Sequence, residues 1–145
     1  MYCLSKSEGV KKGINVAKKI LIVDDERDTL SVLGNGLTAE GYSIIKADNG
    51  GDALDLAKSE RPDLIILDIL MPGMDGGEVA RMLKEVPETK DIPIIFLTGM
   101  FPKREEEEEG RVVAGNIMFD KPYDILKLIT AIEKASAREN GLLVE

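Results

Sequence analysis

Residues 18–30, KKILIVDDERDTL, contain the most strand-like segment of the chain, and that segment ends on two neighbouring carboxylates. The apolar run ILIV at 20–23 is typical of a strand that is buried on both faces of a sheet. Asp24 and Asp25 follow the run directly, so two negative charges must sit close together. Acidic residues often precede helices because they stabilise the helix N-terminus. Taken alone, the pair is explained by such capping.

The composition indicates one ordinary globular domain of 145 residues, with 43% hydrophobic and 32% charged residues. No apolar run approaches the ~20 residues of a membrane helix, and the N-terminus lacks the apolar region of a secretory signal. We therefore expect a cytoplasmic protein with no membrane association. The chain has no histidine and one cysteine, which excludes imidazole-based chemistry and an intramolecular disulfide. The net charge of −8 repels phosphates, so no direct nucleic-acid binding is expected.

Apolar strand segments alternate with helical segments along most of the chain. Strict alternation predicts an α/β fold, a doubly wound parallel sheet with helices on both faces. Polar residues interrupt the second and fifth strands, which favours these two as edges and the order 2-1-3-4-5. We expect a flexible leader at 1–17, the domain at 18–138 and a tail at 139–145. The predicted strands are 19–23, 42–47, 63–67, 92–97 and 116–119, and the predicted helices are about 26–40, 50–59, 76–86, 103–111 and 123–138.

Three carboxylates are expected to meet at one edge of this sheet. Asp24 and Asp25 follow the first strand and Asp68 follows the third, and in this order the chain reverses direction between those strands. Their mutual repulsion favours a hard divalent cation with oxygen ligands, Mg²⁺ above all, or Mn²⁺. The fourth strand ends on Thr98 and the fifth ends near Lys121, at the same edge of the sheet. A hydroxyl and an ammonium beside a metal are groups that stabilise a phosphoryl group.

Four sequence blocks, KKILIVDDE, PDLIILDILMPGMDG, PIIFLTG and DKPY, resemble in order and spacing a response-regulator receiver domain of two-component signalling. The resemblance implies a flavodoxin-like receiver fold with Asp68 as the phosphoacceptor. It places Mg²⁺ on Asp25, Asp68 and the backbone carbonyl of Leu70, with Asp24 completing the acidic pocket.

The same resemblance implies a switch role for Thr98 and a phosphoryl-binding role for Lys121, with a cis peptide bond at Pro122. The expected protein is a phosphorylation-controlled switch and not an enzyme. It would receive a phosphoryl group from a sensor histidine kinase and signal to an unidentified protein target. We also allow for a phosphorylation-dependent homodimer. Whether the chain acts alone or belongs to a longer regulator stays open.

Two features depart from the family's pattern. Receivers usually carry an aromatic residue three positions before the lysine, and this chain has Met118 there. The glutamate run at 105–109 falls on the predicted fourth helix, where it forms either a solvated, self-repelling surface or an acidic determinant for a partner. In addition, Gly34 and Gly36 each cost the first helix ~1 kcal/mol relative to alanine, for no reason visible in the sequence.

Three other interpretations compete with this one. A pseudo-receiver that binds partners without phosphorylation is the main alternative, because Met118 replaces the usual aromatic residue. A phosphatase of the haloacid-dehalogenase type would need a second aspartate two positions after its nucleophile, in a D-x-D motif. The chain reads Asp24, Asp25, Glu26, so the second acid of the motif is the wrong one. Flavin binding is disfavoured because no glycine- or threonine-rich phosphate loop follows the first strand.

Overall fold

The structure is a computed structural model that describes residues 19–69, 71–98, 111–113, 116–120 and 124–139. Its strands are β1 (Lys19–Val23), β2 (Ser43–Ala47), β3 (Leu64–Leu67), β4 (Ile94–Thr98), β5 (Arg111–Val113) and β6 (Asn116–Asp120). Its helices are α1 (Arg27–Ala39), α2 (Gly50–Glu60), α3 (Gly76–Glu85) and α4 (Ile125–Glu139).

One sheet contains all six strands, in the order β2-β1-β3-β4-β6-β5. Strands β2, β1, β3, β4 and β6 are parallel, and they correspond one to one with the five predicted strands. At the centre of the sheet, Ile22 of β1 is paired with Lys46 of β2 on one side and with Ile66 of β3 on the other. The predicted doubly wound parallel sheet and its order 2-1-3-4-5 are therefore confirmed.

Strand β5 is an addition that the sequence did not predict. It pairs antiparallel with β6, so that Val112 lies opposite Ile117, and β6 is not the edge strand that its polar residues suggested. Only two residues separate these strands in the sequence, a spacing that suits a tight hairpin. The predicted helix at about 103–111 lies outside the described residues except for Arg111, which begins β5 and is not helical.

The core lies in two layers, one on each face of the sheet, because successive side chains of a strand point to opposite faces. Ile20 and Ile22 of β1 pack with α1 and α4, whereas Leu21 and Val23 pack with α2 and α3. The predicted apolar face of the last helix is confirmed, since Leu128 and Ile132 are fully buried in the first layer and Ile125 and Ile129 pack against it.

One of the glycines of α1 lies close to β2. Gly34 is buried, and a Cβ atom at this position would lie 2.8 Å from Cε of Lys46. Cε lies near the free end of the flexible, exposed Lys46 side chain, which can move aside, so this contact does not by itself require glycine at position 34.

None of the helices in the described part of the chain is long and apolar enough to cross a membrane.

Candidate functional site

The candidate site lies where β1 and β3 end, side by side at the carboxyl edge of the sheet. Backbone hydrogen bonds continue past the ends of both strands. The Asp24 N–H donates to the carbonyl of Ala47 over 3.2 Å, and the Asp68 N–H donates to the carbonyl of Val23 over 3.0 Å. These bonds hold the backbone of both aspartates in line with the sheet. The chain leaves β1 towards β2 and later returns to β3 on the other side, so this edge is the switch point of the topology.

Three carboxylates meet at this switch point. Each of Asp24, Asp25 and Asp68 offers one carboxylate oxygen, and these oxygens all lie within 4.8 Å of one another. Asp24 and Asp68 are buried, with 2% and 5% of their surface exposed, whereas Asp25 is exposed. The three residues that the sequence pointed to are thus brought together, two in the protein interior and one facing solvent.

Asp24 is held in place by the turn that it begins. Its Oδ1 atom accepts a 2.9 Å hydrogen bond from the backbone N–H of Glu26, and the Glu26 carbonyl accepts the first helical bond of α1, from Leu30. The turn between β1 and α1 therefore keeps one oxygen of Asp24 occupied by the protein. That contact fits a carboxylate whose position is set before any ligand binds.

The segment after Asp68 folds back against its own start. The N–H of Gly76, the first residue of α3, donates to the carbonyl of Ile69 over 2.8 Å. Asp75 caps α3 by accepting a 2.9 Å hydrogen bond from the Glu78 N–H. A Cβ atom at position 76 would lie only 2.2 Å from the carbonyl oxygen of Asp68. The first turn of α3 is thus in contact with the backbone of Asp68.

The remaining predicted site residues are only partly within the described structure. Thr98 ends β4, and its backbone lies opposite Asp120, the last residue of β6. Met118 lies opposite Phe96 in the same pairing. The side chains of Thr98 and Met118 lie outside the described part of the structure, as do Leu70, Lys121 and Pro122 altogether.

The structure also reveals two features near the carboxylates that the sequence did not indicate. One is the contact of Gly76 with the Asp68 backbone, which no local sequence signal marks because it depends on how the loop folds back. The other is an ion pair between Arg27 and Asp48, with Nη2 and Oδ2 3.5 Å apart. Arg27 is the first residue of α1, and Asp48 directly follows β2. Arg27 was visible as a cation two residues after Asp25, but its partner depends on the strand pairing.

A buried pair of carboxylates joined by a third exposed one suits a hard divalent cation, which binds carboxylate and carbonyl oxygens and keeps several waters. The donor set of Asp24, Asp25 and Asp68 contains only oxygen, so it fits Mg²⁺ better than metals that prefer nitrogen or sulfur.

The fold and this acidic cluster define a class of signalling domain, and the sequence match agrees. Residues 20–133 match the family model described as the response regulator receiver domain, and the chain belongs to that family. The chain is 37% identical over 119 residues to the protein PilH of Pseudomonas aeruginosa, a match that covers 79% of this chain and 96% of that protein. It is also 37% identical over 117 residues to sporulation initiation phosphotransferase F of Bacillus subtilis, covering 81% of this chain and 92% of that protein.

Solved structures show the same architecture. The chemotaxis protein CheY4 of Vibrio cholerae superposes with a TM-score of 0.70 at 30% identity, over 81% of this chain and 98% of that one. The chain is therefore a receiver domain of two-component signalling. Receiver domains are phosphoacceptors and not catalytic enzymes, and they take phosphoryl groups from histidine kinases and contact downstream targets. They bind Mg²⁺ at an acidic cluster, which is here Asp24, Asp25 and Asp68.

Proposed function

We propose that the protein is a phosphorylation-controlled switch in which Asp68 accepts a phosphoryl group from a partner sensor histidine kinase in a Mg²⁺-dependent reaction. The observation that carries this proposal is the meeting of three carboxylate oxygens within 4.8 Å at the switch point, with Asp68 buried among them. The phosphoryl group would alter contacts with a downstream protein, and phosphorylation-dependent dimerisation is one such change. The proposed setting is the cytoplasm, and the proposed domain bounds are 18–138.

In the proposed reaction, a carboxylate oxygen of Asp68 attacks the phosphorus of the donor. The new bond joins that oxygen to phosphorus, and the bond from phosphorus to the donor's leaving atom breaks. With phosphohistidine as donor, the leaving ring nitrogen keeps the electron pair and takes a proton from water. The product on this chain is an acyl phosphate.

The carboxylates around Asp68 have a different role from Asp68 itself. Bound Mg²⁺ would neutralise charge on the phosphoryl oxygens and on the carboxylates, so that two anions can approach. Asp25 and Asp68 would hold the ion directly, with the Leu70 carbonyl as a third protein ligand. Asp24, which the Glu26 N–H holds in place, would complete the acidic pocket and position water around the ion.

Four residues complete the proposed switch. Thr98 would donate its hydroxyl to a phosphoryl oxygen, and Lys121 would pair with the phosphoryl charge, oriented by a cis peptide bond at Pro122. Met118 would fill the place of the family's aromatic switch residue with a flexible thioether side chain. The backbone of Thr98 ends a strand beside β3, which is the position that such a contact requires.

The experiment that tests the proposal is intact-protein mass spectrometry after incubation with acetyl phosphate, with and without Mg²⁺. We expect the gain of one phosphoryl group, dependent on the metal and abolished in Asp68→Asn. The matched control is Asp91→Asn, which changes an exposed aspartate at the opposite edge of the sheet and should label like the unchanged protein. Undiminished labelling of Asp68→Asn would overturn the assignment. No labelling of the unchanged protein would favour a pseudo-receiver.

A further inference from the structure

The described part of the carboxyl edge is strongly acidic. The residues after β1, β2 and β3 in the ranges 24–28, 48–52, 68–69 and 71–78 include nine acids and one cation, Arg27. A phosphodonor that approaches Asp68 from solvent is itself an anion. Like charges repel over about a Debye length, ~10 Å at 0.1 M salt, so these acids oppose the approach of the donor.

Arg27 is placed to offset this repulsion. It begins α1, directly after the turn that the Asp24 carboxylate holds, and this turn lies between the ends of β2 and β3 in the sheet. Its backbone is therefore fixed next to the acidic cluster. Its guanidinium is nevertheless open to solvent, because 86% of the side chain is exposed.

The ion pair that holds the Arg27 side chain is weak. Its Nη2 atom lies 3.5 Å from Oδ2 of Asp48. Exposed pairs of this kind contribute little to stability. The other oxygen of the Asp48 carboxylate accepts a 2.8 Å hydrogen bond from Nδ2 of Asn49, so Asp48 keeps a partner when the arginine leaves. The guanidinium can thus exchange one anion for another at small cost.

We propose that Arg27 is a positioning residue that draws the anionic phosphodonor towards Asp68 by exchanging the Asp48 carboxylate for phosphoryl oxygens of the donor. The planar guanidinium can donate two parallel N–H hydrogen bonds to the oxygens of one phosphate group. Its 3.5 Å contact with the Asp48 carboxylate does not make full use of these two donors. The inference rests on the proposed function, because it assumes that a phosphoryl group is delivered to this edge. The effect of Arg27 on labelling should therefore be larger for phosphodonors that carry more negative charge.

The test measures the rate of labelling by acetyl phosphate at saturating Mg²⁺ and low ionic strength. We expect Arg27→Ala to slow labelling about fivefold, the size expected for one cation acting on a doubly charged donor through solvent. Arg27→Lys should keep part of the rate. At about 1 M salt, where the Debye length is ~3 Å, the difference between Arg27→Ala and the unchanged protein should nearly vanish.

Two comparisons separate this role from a structural one. Arg81→Ala removes a similarly exposed arginine that is also paired with a carboxylate, Glu85, but lies within α3 away from the edge; it should label at the unchanged rate. With phosphoramidate, which is singly charged near neutral pH, the effect of Arg27→Ala should be about half as large on a logarithmic scale. Loss of a cation from the first turn of a helix does not weaken the helix, so slower labelling would not reflect unfolding.

The outcomes distinguish the inference from the function on which it rests. If the unchanged protein is not labelled at all, the proposed function fails and the inference fails with it. If the unchanged protein is labelled and Arg27→Ala matches it in rate and in salt dependence, only the inference is overturned. An equal loss in Arg81→Ala would also overturn it, since net charge alone would then explain the effect.

Discussion

Replacement of Gly76 by alanine should disturb the fold and the candidate site together. A Cβ atom at this position would lie 2.2 Å from the carbonyl oxygen of Asp68 and 2.8 Å from the Cα atom of Ile69. Both neighbours are backbone atoms, so neither can rotate away. Ordinary contacts of this kind need more than 3.0 Å, and the first turn of α3 must therefore shift by most of an ångström.

The cost of that shift is a destabilisation of about 1–3 kcal/mol, the range for overpacked sites. Urea denaturation should show it as a lower midpoint. The matched control is Gly77→Ala, the next residue of the same helix turn, where an added Cβ meets only Oδ1 of Asp75 at 3.4 Å. That exposed change should be neutral or stabilising by up to about 1 kcal/mol.

A functional readout accompanies the stability measurement. Because the displaced atoms belong to the backbone of Asp68 and Ile69, Gly76→Ala should also slow labelling by acetyl phosphate under conditions where the variant remains folded. Gly77→Ala should not. If Gly76→Ala is as stable as Gly77→Ala and labels at the same rate, the contact between α3 and the Asp68 backbone affects neither stability nor labelling, and the prediction is wrong.

Three further predictions concern the stability of the fold. Burial raises the pKa of Tyr42 from 10.0 to about 12, so the folded state favours the neutral phenol. This stabilising contribution is complete below pH 10 and is lost as the pH rises towards 12, by at most about 2.7 kcal/mol of unfolding free energy. Tyr42→Phe should flatten the dependence of stability on pH between about 10 and 12. An unchanged slope in that range would contradict the prediction. Asp75→Ala removes the cap on the Glu78 N–H and should cost about 1 kcal/mol in urea denaturation, whereas no loss would show that the cap is dispensable. Leu83→Ala should lower the free energy of unfolding by about 2–5 kcal/mol, because the side chain is only 1% exposed. Leu126→Ala, at a side chain that is 69% exposed, should change it by less than about 0.5 kcal/mol. Equal effects of the two substitutions would refute the assignment of Leu83 to the core.

The parallel sheet could be predicted because its signal is local. Continuous apolar runs mark strands that are buried on both faces, and alternation with helices determines that the strands are parallel. The rule for switch points then places residues after strands one and three at one edge, which is why the sequence alone predicts that Asp24, Asp25 and Asp68 lie together. The short strand Arg111–Val113 had no such signal, since three residues after a glutamate run look no more like a strand than like the end of a helix.

Features that depend on contacts between distant segments could not be predicted. Gly34 of α1 lies close to Lys46 of β2, a contact between segments that the sequence alone does not show. Gly76 is similar, because its requirement comes from the Asp68 carbonyl and not from its own backbone conformation. The pairing of Arg27 with Asp48 depends on β1 and β2 being neighbours in the sheet. In each case the residue was visible in the sequence, but its partner was not.

The residue that carries the phosphoryl group can be identified chemically, and we expect it to be Asp68. Borohydride reduces an acyl phosphate to an alcohol, so treatment of the labelled protein should convert one aspartate to homoserine, which peptide mass spectrometry locates. We expect the conversion at Asp68 alone, and only when Mg²⁺ and acetyl phosphate are both present. Conversion at another aspartate, or labelled protein with no conversion at Asp68, would show that Asp68 is not the phosphoacceptor.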